Sequence, residues 1–181
     1  DSLNQIEDKL SLLDVYQSDV QVIRNLVYTN YPKDNQTLDL LYPPESRPRY
    51  PLIILVHGGG FVSGNRTQYY IDYASRLAKR GFIIANVNYR LSGDFAFPAS
   101  VEDLFQALRF LIDQAKTYHI DLNHVFMVGE SAGATLTCLV GAILTNPSLK
   151  SQYPFAFNFK LKGLGLSCGI YDVETSLAEL Y

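Results

Sequence analysis

Tryptophan is missing altogether, methionine occurs once, cysteine twice and histidine only three times in 181 residues. The two cysteines, Cys138 and Cys168, lie in apolar sequence surroundings with no metal-ligand spacing and read as buried free thiols. No cofactor or metal site is expected. Long hydrophobic runs are missing too. Those present, such as Leu52-Ile53-Ile54-Leu55-Val56, are far too short to span a bilayer and read as buried strands. A net charge of -3 gives no electrostatic case for nucleic acid or an anionic membrane as partner. No basic, apolar leader opens the sequence, which favours a cytoplasmic over a secreted protein, although a removed leader would look the same. What is present, 48% apolar and 18% charged residues, describes an ordinary globular chain of one domain, residues 1–181.

The order of elements is legible from periodicity. Leu3, Ile6, Leu10 and Leu13 recur at helical spacing over residues 1–20. Two β segments follow, at 20–28 and 37–42, joined by a turn rich in Pro, Asp and Asn. The rhythm then changes to alternating strand and helix: a strand at 52–56, a helix at 68–80 capped by Gly81, and a strand at 82–87. Next come an amphipathic helix carrying Val101, Leu104, Phe105, Leu108, Leu111 and Ile112, a strand at 125–128, a helix at 132–144 and a strand at 161–167. Continuous apolar strands joined by helices specify an α/β fold: a mostly parallel sheet with helices on both faces.

Gly129-Glu130-Ser131-Ala132-Gly133 is G-x-S-x-G set between the strand ending at Val128 and the next helix. At a strand-to-helix corner this pattern presents a serine hydroxyl at the strand's end, near the positive pole of the helix, with Gly129 and Gly133 where a side chain would collide. Alone, the pentapeptide fits a serine helix cap in a tight turn equally well. His57-Gly58-Gly59-Gly60-Phe61 follows the 52–56 strand, where an oxyanion-hole loop belongs, and bare glycine backbone lets N–H donors approach a developing oxyanion. A phosphate-type loop is the other reading, but no Lys-Ser/Thr follows.

With a third block (Asn88-Tyr89-Arg90-Leu91, Phe97-Pro98-Ala99, Asp103, Ala107-Leu108-Arg109-Phe110-Leu111) the chain resembles the hormone-sensitive-lipase-like and acetylesterase, or carboxylesterase, branch of the α/β-hydrolases over roughly residues 35–172. Ser92-Gly93-Asp94 departs from the Ala-Pro-Glu of many members, in a loop. The resemblance implies an α/β-hydrolase fold with Ser131 as nucleophile and the N–H groups of Gly59, Gly60 and Ala132 as oxyanion hole. It also implies a small or short-chain acyl ester as substrate. By the same resemblance His57 and Gly58 support the loop, Gly129 and Gly133 the corner, and Glu130 is solvated.

The triad acid and base are not found. No histidine follows Ser131; the three are His57, His119 and His124. His124, at the start of its strand, should lie roughly 20 Å from Ser131 at the opposite edge of the sheet, and His119 ends a helix at that same edge. His57 leads into the glycines and makes a poor base, and Asp172 comes one strand-helix unit too early for the acid. The last two strand-helix units of the fold are therefore expected to be absent, leaving residues 161–167 as an open edge through which the chain self-associates or takes a partner. The function expected is a serine carboxylic-ester hydrolase acting through an acyl-enzyme, impaired in these residues alone. A catalytically silent ligand-binding relative and an arylformamidase-like amidase are the alternatives.

Overall fold

The run Leu52 to Val56 is apolar without interruption because its strand, β3 (Tyr50–Val56), is covered on both faces. The computed structural model describes residues 19–30, 36–66 and 69–172, so the helix expected over residues 1–20 falls, but for its last two residues, outside them. Around β3 lie β1 (Gln21–Val27), β2 (Thr37–Tyr42), β4 (Ile83–Val87), β5 (Ile120–Glu130) and β6 (Gly163–Ser167), in the order β1-β2-β4-β3-β5-β6. β1 and β2 pair antiparallel, as do β2 and β4, while β4, β3, β5 and β6 run parallel. The register sets Ile54 between Ala85 and Met127.

Period-two alternation divides the core between two layers. Leu52, Ile54, Val56 and Met127 pack with Leu104 and Leu108 of α2 (Ala99–Asp113) and with Leu136 and Val140 of α3 (Ala132–Thr145). Ile53, Leu55 and Ile84 face the other way, against Ile71, Ala74 and Ala78 of α1 (Tyr69–Ala78). Gly81 closes α1 with φ +95°, its N–H donating to Ala78 O at 2.9 Å. A single helical turn, α4 (Pro147–Lys150), follows α3.

Three expectations need correction. α2 stops at Asp113 and residues 114–119 wind through turns, so His119, at φ +57°, does not end a helix. Lys116 and Thr117 are exposed, while Ala115 stays buried and Tyr118 packs on the core from within these turns. β5 begins at Ile120, which pairs with Tyr50, so His124 lies within the strand rather than at its start. The thiols are free but not buried: Cys138 is half-buried and Cys168 exposed. Cys168 follows β6, the edge of the sheet, whose Leu164 and Leu166 are themselves 41% and 40% exposed.

A buried ion pair locks α2 to the segment after β4. Asp103 is fully buried and accepts from Arg90 N (2.7 Å), Arg90 Nε (2.9 Å) and Gln36 Nε2 (2.6 Å), and Arg90 also reaches Glu102 at 2.7 Å. These bonds hold the guanidinium firmly protonated against the cost of its burial. Asp103→Ala would strand that cation and should cost about 3–5 kcal/mol, read as a lower urea midpoint at unchanged m-value.

Candidate active site

At the junction of β5 and α3 the backbone turns through Ser131 with φ 52° and ψ -122°, a conformation side chains rarely adopt. Its N–H donates to Ser167 O at the end of β6, at 2.7 Å, and its carbonyl accepts from Ala134 N and Thr135 N. The hydroxyl makes no capping bond to the helix, so the plain helix-cap alternative does not describe this corner. Ser131 is half-buried rather than turned into the core.

Both flanking glycines are required by space. A Cβ at Gly129 would run into Gly133 O and come to 2.7 Å of Ala134 N, and one at Gly133 would run into Val56 O and come to 2.5 Å of His57 O. The end of β3 thus lies directly against the first turn of α3. Gly58 lies there too: its Cβ would be 2.9 Å from Glu130 O and 3.2 Å from Ser131 Cβ. The structure therefore brings the two glycine motifs, far apart in sequence, together at residue 131.

Successive peptide planes of the glycine loop are fixed by what their carbonyls bind. Tyr89 Oη donates to His57 O at 2.8 Å. His57 Nδ1 donates to Gly58 O at 2.7 Å. Gly59 O accepts from Ser63 N (3.0 Å), Ser63 Oγ (2.9 Å) and Val62 N (3.3 Å). In a planar trans peptide the C=O and the following N–H point opposite ways, so capturing Gly58 O and Gly59 O aims the N–H groups of Gly59 and Gly60 away from those contacts. Among the described residues none accepts a hydrogen bond from Gly59, Gly60 or Ala132 N–H.

His57 is 1% exposed and stacks on Tyr89 with centroids 4.3 Å apart and planes at 12°. Burial lowers its pKa, and the bond from Nδ1 fixes the neutral tautomer. Further along, Arg66 is tied to Asp39 (3.0 Å), to Asn25, to Asn88 Oδ1 through its N–H and to Asn86 through its carbonyl.

The other histidines stay away. His119 Nδ1 meets Pro48 O at 3.2 Å, and its carbonyl accepts from Tyr50 N at the beginning of β3, the end of the sheet opposite Ser131. His124 is exposed and pairs with Asp121 at 2.7 Å. Sequence reasoning missed Tyr70. Its Oη accepts from Gly58 N–H and donates to Glu130 Oε2, both at 2.6 Å. Burial, reinforced by Glu130, pushes its pKa to about 12. Glu130, expected to be solvated, is exposed but engaged by this bond. Nothing in the local sequence marks Tyr70, because its partners are distant along the chain. A cavity of about 530 Å3 adjoins the corner, bounded by Tyr70, Tyr73, Val128, Glu130, Leu166 and Ser167.

A family model named BD-FAE matches residues 38–168, more than half of the chain. The chain belongs to the BD-FAE family. Several of the relatives bear esterase names, and the carboxylesterase-type α/β-hydrolase family that the motifs resemble is the one found. The probable isoprenylcysteine alpha-carbonyl methylesterase of Oryza sativa subsp. japonica is 30% identical over 155 residues, 85% of this chain and 36% of that protein. The ethyl acetate hydrolase of Pseudomonas putida is 29% identical over 140 residues, covering 75% and 43%. Esterase B from Lactobacillus Rhamnosis (HN001) superposes with a TM-score of 0.78 at 27% identity, over 93% of this chain and 56% of that one. The BD-FAE chain thus spans roughly a third of the first curated relatives, at 35%, 36% and 32% of their lengths. Its fold is that of the α/β-hydrolases. Among the described residues no helix is long and apolar enough to cross a membrane.

Two outcomes are expected from this geometry. Gly133→Ala has no room for its methyl group, and should leave the BD-FAE chain insoluble or strongly destabilised, read by soluble yield and thermal melting. A neutral buried His57 binds fewer protons than the same residue unfolded, so its contribution to stability is lost as pH falls through the unfolded value near about 6.5. The urea midpoint should drop across that window, and His57→Asn should remove part of the drop.

Proposed function

We propose that the chain carries the nucleophile half of a serine carboxylic-ester hydrolase acting through an acyl-enzyme on small, short-chain acyl esters. The observation that carries this is the set of free amides: Gly59, Gly60 and Ala132 N–H have no acceptor among the described residues, and they belong to the two backbone segments that meet at Ser131. Free, rigidly aimed donors are what a tetrahedral oxyanion requires, and losing one costs roughly 2.7–4 kcal/mol of barrier in comparable sites.

In the reaction Ser131 Oγ attacks the ester carbonyl carbon and gives its proton to a base. The carbonyl oxygen takes the negative charge into the amides of Gly59, Gly60 and Ala132. Collapse expels the alcohol, protonated by the same base, and leaves an acyl-serine that water then hydrolyses. His57 is not that base, since its ring is 1% exposed and stacked on Tyr89, closed off from a bound substrate. The acid and base come from polypeptide other than these 181 residues. The esterase relatives support the ester as substrate, and Ser131, with Gly58, Gly129 and Gly133 keeping backbone close on backbone, supports the serine mechanism.

The competing reading is a silent relative that binds a ligand in the same place. A fluorophosphonate probe separates the two. Labelling of the protein that disappears in Ser131→Ala is the expected result; labelling untouched by that substitution, or none at all in a protein that binds ester analogues, would overturn the hydrolase reading. The 181 residues alone should accelerate p-nitrophenyl acetate hydrolysis by no more than about 10^3–10^4-fold over water, the level an oxyanion hole sustains without a triad.

A further inference from the structure

Among the described residues, one hydrogen-bonded link ties the glycine loop to the serine corner through side chains. Tyr70 Oη, on α1, accepts from Gly58 N–H at 2.6 Å and donates to Glu130 Oε2 at 2.6 Å. Glu130 is the residue immediately before Ser131, and Gly58 immediately precedes the two glycines whose amides have no acceptor among the described residues. The phenol thus links the variable position of G-x-S-x-G to the first glycine of the loop.

We infer that Tyr70, oriented by the Glu130 carboxylate, is a positioning residue that sets the Gly59 and Gly60 amides relative to Ser131. The inference rests on the serine-hydrolase reading for what those amides do, and on geometry alone for what Tyr70 holds. A hydroxyl donating to a carboxylate makes a short, charge-assisted bond, and the 2.6 Å separation is of that length. Such donation polarises the phenolic oxygen and makes it a better acceptor for Gly58 N–H. The peptide joining His57 and Gly58 is then pinned at both ends: Tyr89 holds the carbonyl of His57 from one side of the loop, and Tyr70 holds the N–H of Gly58 from the other. The next two peptide planes have their carbonyls captured by His57 and by the turn at Ser63. Those captures are local to the loop and carry no information about where Ser131 lies. Tyr70 supplies that information, because its other partner belongs to the corner itself.

The role is tested in the full-length enzyme with Tyr70→Phe, which removes one oxygen and leaves the ring lining the adjoining cavity, and with Glu130→Gln and Glu130→Ala. Displaced donors act on the transition state. Tyr70→Phe should therefore lower kcat for p-nitrophenyl acetate by about ten- to a hundredfold, with KM changed by less than about threefold. Glu130→Gln keeps an acceptor for the phenol and should stay within about threefold of wild type, whereas Glu130→Ala should match Tyr70→Phe. Amide exchange at Gly58, followed by NMR, should accelerate about tenfold or more in Tyr70→Phe and Glu130→Ala but not in Glu130→Gln. An unchanged kcat in Tyr70→Phe, a loss confined to KM, or Glu130→Gln as damaging as Glu130→Ala would overturn the inference. Unaltered Gly58 exchange would overturn it whatever the turnover. Retained turnover in Ser131→Ala would instead sink the serine reading, leaving the exchange experiment to decide the positioning of Gly58.

Discussion

The architecture turns on a contact between backbones. The end of β3 and the first turn of α3 approach until no side chain fits between them, with Gly133 set against the carbonyls of Val56 and His57, and Gly129 against Gly133 itself. Only parallel strands adjacent in the sheet, β3 and β5, can deliver their ends to the same point, and their register places Val56 beside Gly129. The continuous burial of β3 serves that delivery: apolar residues on both faces leave the strand no freedom to shift register without exposing them.

Around this contact the polar groups form a scaffold that extends well beyond the corner. Asp103 grips Arg90, the neighbouring Tyr89 holds and stacks on His57, and His57 holds Gly58. Each link is buried, and each sits where an unmade bond would be costly. The helix α2 is in this way linked to the glycine loop through Asp103. Tyr89, Arg90 and Asp103, three residues of the third sequence block that carried the family resemblance, make these links.

Much of this was legible because it follows from residue type in local context. Gly129, Gly133 and the triple glycine announce steric demands that a reader of the sequence can name, and the alternation of strands and helices after residue 50 is written in apolar periodicity. Ser131 falls at the strand-to-helix corner where its motif put it, and His57 lies against Gly58 O and Tyr89. Other features were illegible for physical reasons. Tyr70 sits on an amphipathic helix that looks like any other, and its meaning comes from partners 12 and 60 residues away. The helix end at Asp113 carries no Gly or Pro to mark it, its cap being Gln114. Cys168 looked buried because its sequence neighbours are apolar, but those neighbours are exposed as well.

The backbone angles at Ser131 have a consequence of their own. A residue with a Cβ held at φ 52° and ψ -122° carries strain of order 1–3 kcal/mol, which glycine would not feel. At this one position, the amino acid that would make the molecule most robust is one without a hydroxyl. The fold therefore holds its serine against its own conformational preference, and a drift toward thermal hardiness at residue 131 would run directly away from the proposed nucleophile.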